Sequence, residues 1–112
     1  MHLVPKRSLH YDRDGRPMGL DEWVVRFEDM EYKRVALTSV GPFNVSTVWL
    51  GTDHNWSGEG PPIIFETMVF CGDDRASRTW EDYQVHYCTE AEALEGHEHA
   101  VRHFAELGGP SG

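Results

Sequence analysis

Apolar residues alternate with polar ones through the middle of the chain, and they recur at helical spacing on both sides of that region. In segment 20–30 they stand three and four positions apart, with acids in the first turn, where the helix dipole favours them. This pattern predicts a helix over 20–30. Thr89 and Glu92 form a capping box, which predicts a second, longer helix extending to about residue 107.

Between the two predicted helices lie four runs rich in apolar and β-branched residues, separated by turn signals. They predict strands over 34–40, 43–50, 62–70 and 82–88. The sequence therefore predicts an α+β fold: an antiparallel β-meander of about four strands, with the N-terminal helix and the longer C-terminal helix packed on the sheet.

The length of 112 residues suits one hydrophobic core, so we expect a single domain over 1–112. We expect residues 1–18 to form an extended arm that contains an Asp-Gly turn. The glycine-rich segment 108–112 is expected to be a flexible tail.

Charge and composition narrow the classes of function. The net charge of −9 weighs against nucleic-acid binding, which depends on Lys and Arg contacts with phosphates. No apolar run approaches the ~20 residues of a membrane helix, and the N-terminus lacks a secretory apolar core. We therefore expect a cytoplasmic protein. Cys71 and Cys88 are expected to be free thiols, because the predicted hairpin separates them too far for a bridge.

One carboxylate, Glu66, stands inside the apolar run 62–70, where burial is costly unless a partner satisfies the charge. Folding each predicted hairpin symmetrically about its loop places Thr47 and Tyr87 opposite Glu66 on a core face. In the C-terminal helix, His97 falls in the middle of the apolar stripe. We therefore predict a buried Glu66–His97 pair, with Thr47 or Tyr87 as a further hydrogen-bond partner.

Two interpretations of this pair stay open. It is either a satisfied polar network that fixes the helix against the sheet, or an acid/base or ligand-binding pair. The strand register is the decisive assumption, because a slip by one residue moves every side chain to the opposite face.

The loop 51–62 carries a second candidate, Asp53 followed by His54. Loops this long are often functional, so the two residues could bind a ligand, or Asp53 could shape a turn through its own backbone. His99 and His103 stand one helical turn apart, but a solvated surface explains them better than a metal site. We expect no metal and no cofactor. The candidate ligand-binding residues are Thr47, Asp53, His54, Glu66, Tyr87 and His97.

The second face of the predicted sheet is also apolar. Either the N-terminal helix covers it through Trp23 and Phe27, or it forms an interface, for which a homodimer is the commonest arrangement. Its predicted members are Val35, Leu37, Val48, Leu50, Ile63, Phe65 and Val69.

Three segments carry a family resemblance: STVWLGTDHNW, GPPIIFETMVF and EAEALEGHEHAV. With them the chain resembles a family of small proteins from actinobacteriophages and actinobacterial genomes, over about residues 11–101. The resemblance implies a phage-borne accessory protein that acts in the host cytoplasm. It brings no activity with it, but it places His54, Glu66 and His97 inside the family's motifs.

The expected function is therefore binding of a host protein or a small molecule, with a homodimer through the second sheet face as a possible arrangement. One alternative is a small hydrolase-like enzyme that uses His54 or the Glu66–His97 pair. Another is a structural or virion-associated protein. We favour a protein that is not an enzyme, since the sequence contains no recognisable catalytic motif.

Overall fold

A computed structural model describes residues 9–57, 59–71 and 78–107, with the backbone alone for residues 78–82. The expected α+β fold is confirmed. The elements in chain order are β1 (His10–Tyr11), β2 (Pro17–Met18), α1 (Leu20–Glu28), α2 (Met30–Lys33), β3 (Arg34–Val40), β4 (Phe43–Trp49), β5 (Phe65–Cys71), β6 (Arg78–Tyr87) and α3 (Glu90–Leu107).

The main sheet contains four antiparallel strands in the order β3-β4-β5-β6, as the meander predicts. Strands β1 and β2 form a separate small hairpin, and Gly15 in its turn has a positive φ of 85°. This is the expected Asp-Gly turn. The hairpin is attached to the domain, because Arg13 Nε donates to Glu90 Oε1 at 2.8 Å. Residues 1–8 and the predicted tail 108–112 lie outside the described part of the chain.

Several element boundaries differ from the predicted ones. The first helix ends at Glu28 because Asp29 is extended and its carboxylate caps α2. Strand β5 begins at Phe65 rather than at 62, and β6 begins at Arg78 rather than at 82. The capping box of α3 is confirmed by two reciprocal hydrogen bonds between Thr89 and Glu92.

The register of β5 is one residue away from the predicted one. Thr47 lies opposite Thr67, and Glu66 lies opposite Val48 on one side and His86 on the other. The loop before β5 is therefore not symmetric. Its end is held by a backbone hydrogen bond from Leu50 N to Ile64 O, which advances β5 by one position relative to a symmetric hairpin.

This register reverses the two faces of β5. Phe65, Thr67 and Val69 are all fully buried on the face that α3 covers. Glu66 consequently lies on the opposite face, which is a correction of the predicted core face. The opposite face is more polar than expected, with Asn44, Ser46, Glu66, Gln84 and His86 among its members.

The first helix packs on the same side of the sheet as α3. Trp23 stacks on Phe27, and Phe27 lies 6.4 Å from Trp49 between ring centroids. Trp49 lies on the same face of the sheet as Thr47, so α1 does not cover the opposite face. The alternative in which the N-terminal helix covers that face is therefore wrong. A homodimer through that face stays a prediction, although Phe65 and Val69 are not part of it.

Two further expectations can be compared with the structure. Cys71 and Cys88 are free thiols, as expected. A search of the described residues finds no helix with both the length and the apolar character that a membrane crossing requires.

Candidate functional site

Helix α3 brings His97 to the middle of the sheet. Its buried residues recur at helical spacing: Ala93, His97, Ala100 and Phe104. His97 is 5% exposed, so its predicted burial is confirmed. The buried stripe of α3 is centred on small residues. Leu94 lies at its edge and is 43% exposed. Small side chains let the helix approach the sheet closely, and the imidazole therefore reaches the strands.

Both ring nitrogens of His97 are hydrogen-bonded to threonines. Nδ1 lies 2.8 Å from Thr47 Oγ1, and Nε2 lies 2.9 Å from Thr38 Oγ1. Thr47, one of the two hydroxyl partners predicted for the Glu66–His97 pair, is therefore bonded to His97. The predicted pair itself is wrong, because the two side chains lie on opposite faces of the sheet.

The hydrogen bonds continue from His97 across the sheet. Thr47 Oγ1 lies 2.5 Å from Thr67 Oγ1, and the hydroxyl of Tyr87 donates to Thr67 Oγ1 at 3.1 Å. Each of the four strands thus contributes one hydroxyl, and we call this set, with His97, the hydroxyl chain. Its members from one edge to the other are Tyr87, Thr67, Thr47, His97 and Thr38.

The directions of these hydrogen bonds follow the tautomer of His97. A threonine hydroxyl has one proton and two lone pairs, so Thr67 accepts from Tyr87 and can either donate to Thr47 or accept from it. In the neutral imidazole one ring nitrogen donates to its threonine and the other accepts. Burial lowers the pKa of His97, while the charge of Glu98 acts in the opposite direction. The neutral ring is the form that fits this arrangement.

Gly96 allows the contact between α3 and the last strand. A Cβ atom on Gly96 would overlap the ring and the hydroxyl of Tyr87. The glycine stands inside a long helix, where it is otherwise unfavourable. Close packing on Tyr87 therefore explains why a glycine directly precedes His97 in α3.

One side of the hydroxyl chain opens into a groove between β3 and α3. The groove has a volume of about 820 Å³, and a neighbouring pocket of about 250 Å³ also contains Thr38 and His97 in its lining. All residues that line the groove belong to the edge strand or to the helix: Ala36, Leu37, Thr38, Ala91, Leu94, Glu95, His97, Glu98 and Arg102.

The opposite face of the sheet carries a second polar arrangement, centred on Glu66. Its Oε2 atom accepts a hydrogen bond from Gln84 Nε2 at 2.6 Å, and His86 Nε2 lies 3.0 Å from the same oxygen. The ring of His54 stacks on that of His86 with centroids 5.6 Å apart, and Trp56 lies 5.5 Å from His54. We call these five residues the Glu66 cluster. It joins two predicted candidates, Glu66 and His54, through His86, which the sequence analysis did not single out.

Asp53 has a different role from its neighbour. It is 5% exposed, and its Oδ1 atom accepts hydrogen bonds from the backbone of Asn55 at 2.8 Å and Ile63 at 3.0 Å. These bonds draw the two ends of the loop together. The turn-shaping interpretation therefore describes Asp53, whereas His54 belongs to the Glu66 cluster.

Four polar residues at these sites escaped the sequence analysis: Thr38, Thr67, Gln84 and His86. The face of the sheet on which each of them lies depends on the pairing of strands that are distant along the chain, and the local pattern does not give that pairing. In the part of the chain that the structure describes, no group of three or more His, Cys, Asp or Glu residues is arranged to hold a metal ion.

Comparisons of the chain with protein-family models, with curated proteins and with solved structures give no match. The functional argument therefore depends on the geometry of the groove and of the Glu66 cluster.

Proposed function

We propose that this protein is a small binding protein whose groove between β3 and α3 holds an extended segment of a partner protein. The observation that carries the proposal is the groove itself. It is about 820 Å³ in volume and runs between an edge strand and a helix. An extended segment that enters such a groove can add a strand to the sheet, and its side chains then contact the helix.

The edge position of β3 supports this mode of binding. Among the described strands, β3 is hydrogen-bonded only to β4. Backbone groups on its outer side are therefore available to another chain, and such groups supply affinity in strand addition. The irregular pairing between Arg34 and Ala36 places a bulge at the start of β3. The regular part of the edge thus begins at Ala36, where the groove begins.

The lining of the groove indicates the chemistry of the segment. Ala36, Ala91 and Leu94 offer an apolar wall of small and medium side chains. Glu95 and Glu98 stand on the helix side with Arg102, which lies 3.8 Å from Glu98, so one acid in excess remains, and the chain as a whole carries a charge of −9. A segment with small apolar side chains and flanking Lys or Arg residues complements this surface, because charge complementarity also speeds encounter.

In the context that the family resemblance implies, the partner is a host protein and the site of action is the host cytoplasm. The edge strand that lines the groove favours an extended chain over a compact small molecule, because the strand can pair with another backbone. The enzyme alternative used either His54 or a Glu66–His97 pair. Only His54 remains for it, since Glu66 and His97 do not meet. No observation on the described residues favours a virion protein.

A selection of peptides tests the proposal directly. Ten-residue peptides displayed on filamentous phage are selected against the purified protein, and the enriched sequences are synthesised. We expect basic, apolar sequences of micromolar affinity that protect backbone amides of β3 from hydrogen exchange. Leu94→Lys in the groove should weaken binding by at least about tenfold, which corresponds to ~1.4 kcal/mol.

Leu107→Lys is the matched control, because Leu107 is also an exposed leucine of α3, at 54% exposure, and it does not line the groove. Equal binding to the two variants, the absence of enriched peptides, or the absence of protection in β3 would contradict the proposal. Light scattering measures whether the protein is a monomer or a dimer in solution. A dimer that Leu94→Lys dissociates would mean that a second copy occupies the groove, and the partner proposal would be wrong.

A further inference from the structure

The Glu66 cluster lies on the other face of the sheet from the groove, and its hydrogen bonds are unevenly distributed. The side chain of Glu66 is 10% exposed. Both nitrogens that reach it, Gln84 Nε2 in a hydrogen bond and His86 Nε2 in a contact of 3.0 Å, lie against the same oxygen, Oε2. A buried carboxylate is normally satisfied at both oxygens. Among the described residues, no donor is directed at Oε1.

The unbonded oxygen of Glu66 is accompanied by a second acceptor. Gln84 presents its NH₂ group to the carboxylate, so its carbonyl oxygen is available. The cluster thus offers a carboxylate oxygen and an amide oxygen, together with the negative charge of Glu66.

Aromatic rings flank these acceptors. The ring of His54 is nearly parallel to that of His86, with an angle of 27° between the planes. Trp56 is 80% exposed, although its indole is the largest apolar surface of the loop. A large aromatic ring left in solvent is typical of a binding site, and Trp56 is connected to Glu66 through the rings of His54 and His86.

We infer that the Glu66 cluster binds a guanidinium group. This group is planar, carries five N–H donors and no acceptor, and stacks on aromatic rings. Its N–H groups match the acceptors that Glu66 and Gln84 present, and its face can stack on the exposed aromatic rings of the cluster. An anion is disfavoured, because the carboxylate repels it. An ammonium group lacks the plane that would stack on the indole.

The guanidinium belongs either to a free small molecule or to an arginine side chain of another protein. Three probes separate these sources: agmatine, acetyl-arginine amide, and an arginine-containing pentapeptide. Acetyl-citrulline amide is the control, since it has nearly the same shape without the charge. We expect the arginine probes to bind with a dissociation constant on the order of 1 mM, measured by NMR chemical-shift changes at residues of the cluster.

Two variants test the roles of the residues. Glu66→Gln should weaken binding about tenfold, because charge-assisted hydrogen bonds are roughly twice as strong as neutral ones. Trp56→Ala should weaken it about threefold, and it keeps the fold because the indole is exposed. Glu106→Gln, at an exposed position of α3 that belongs neither to the cluster nor to the groove lining, should leave binding unchanged.

The inference is overturned if citrulline and arginine probes bind equally, if no probe shifts the cluster, or if both variants bind as the unmodified protein does. Tighter binding of the pentapeptide would indicate an arginine on a partner protein, whereas tighter binding of agmatine would indicate a small molecule. Either of these results supports a guanidinium site. Neither depends on the groove between β3 and α3.

Discussion

The hydroxyl of Thr47 and Nδ1 of His97 are hydrogen-bonded over 2.8 Å, and this bond attaches the long helix to the centre of the sheet. Both residues are buried, at 0% and 5% exposure. The contact belongs to the hydroxyl chain, which runs from Tyr87 to Thr38. A buried polar chain of this kind is stabilising only while all members are paired, because each unpaired member would carry its full desolvation cost.

Replacement of His97 by alanine should therefore destabilise the protein strongly. The change creates a cavity under α3 and leaves Thr38 and Thr47 without their imidazole partner. We expect a loss of about 2–4 kcal/mol in the free energy of unfolding, measured by urea denaturation. His99→Ala, on the exposed side of the same helix, should change stability by less than about 0.5 kcal/mol. Equal stability of the two variants would contradict the role of His97 in the core.

The stability should also depend on pH through His97. Burial lowers the pKa of this side chain below its ordinary value of 6.5. In the interval between the lowered pKa and 6.5, the unfolded chain binds more protons than the folded one. The contribution of His97 is therefore complete above pH 6.5, and it is lost as the pH falls through the folded pKa.

The measurement is the urea midpoint at several pH values between 7.5 and 5, for the unmodified protein and for His97→Asn. The two proteins share every other titratable group, so the difference between their curves reports His97. The unmodified protein should lose more stability on acidification than the variant. Parallel curves would show that His97 does not titrate differently in the folded state.

Thr47 and Thr67 should be energetically coupled. Either Thr→Val change keeps the shape but removes a hydroxyl, and each should cost about 1–3 kcal/mol, since the remaining neighbour is left unpaired. The double variant removes both members of the pair and should cost less than the sum of the single changes. We expect a coupling of at least about 0.5 kcal/mol from a double-mutant cycle.

A second cycle, with Thr67→Val and Ser46→Ala, provides the comparison. Ser46 lies on the opposite face of β4, so these two changes should be additive. If the Thr47 and Thr67 changes are additive as well, the hydroxyl chain is not a cooperative unit.

Gly96→Ala should destabilise the protein, contrary to the usual effect in a helix. Alanine in a helix interior is normally favoured over glycine by roughly 0.5–1 kcal/mol. Here the new methyl group would overlap the ring of Tyr87. We expect a lower thermal midpoint for Gly96→Ala and partial recovery in the double variant with Tyr87→Leu. A higher midpoint in the single variant would mean that α3 can move away from Tyr87 without cost.

Much of the fold could be predicted because local patterns determine it. The helical spacing and the capping box placed His97 on a buried helix face, and the turn signals separated four strands. The partner of His97 could not be obtained in this way. Strand β5 is apolar on both faces, with Phe65 and Val69 on one and Met68 and Phe70 on the other, so periodicity gives nearly equal weight to two registers.

The sequence by itself determined the elements, their order and the burial of His97, because these depend on residues that are neighbours along the chain. The tertiary structure decided that His97 meets Thr47 and Thr38, while Glu66 meets His86 and Gln84 on the opposite face. The reason is a shift of one residue in β5, produced by hydrogen bonds between the two ends of a long loop. Side chains alternate between the two faces along a strand, so a shift of one residue exchanges the faces.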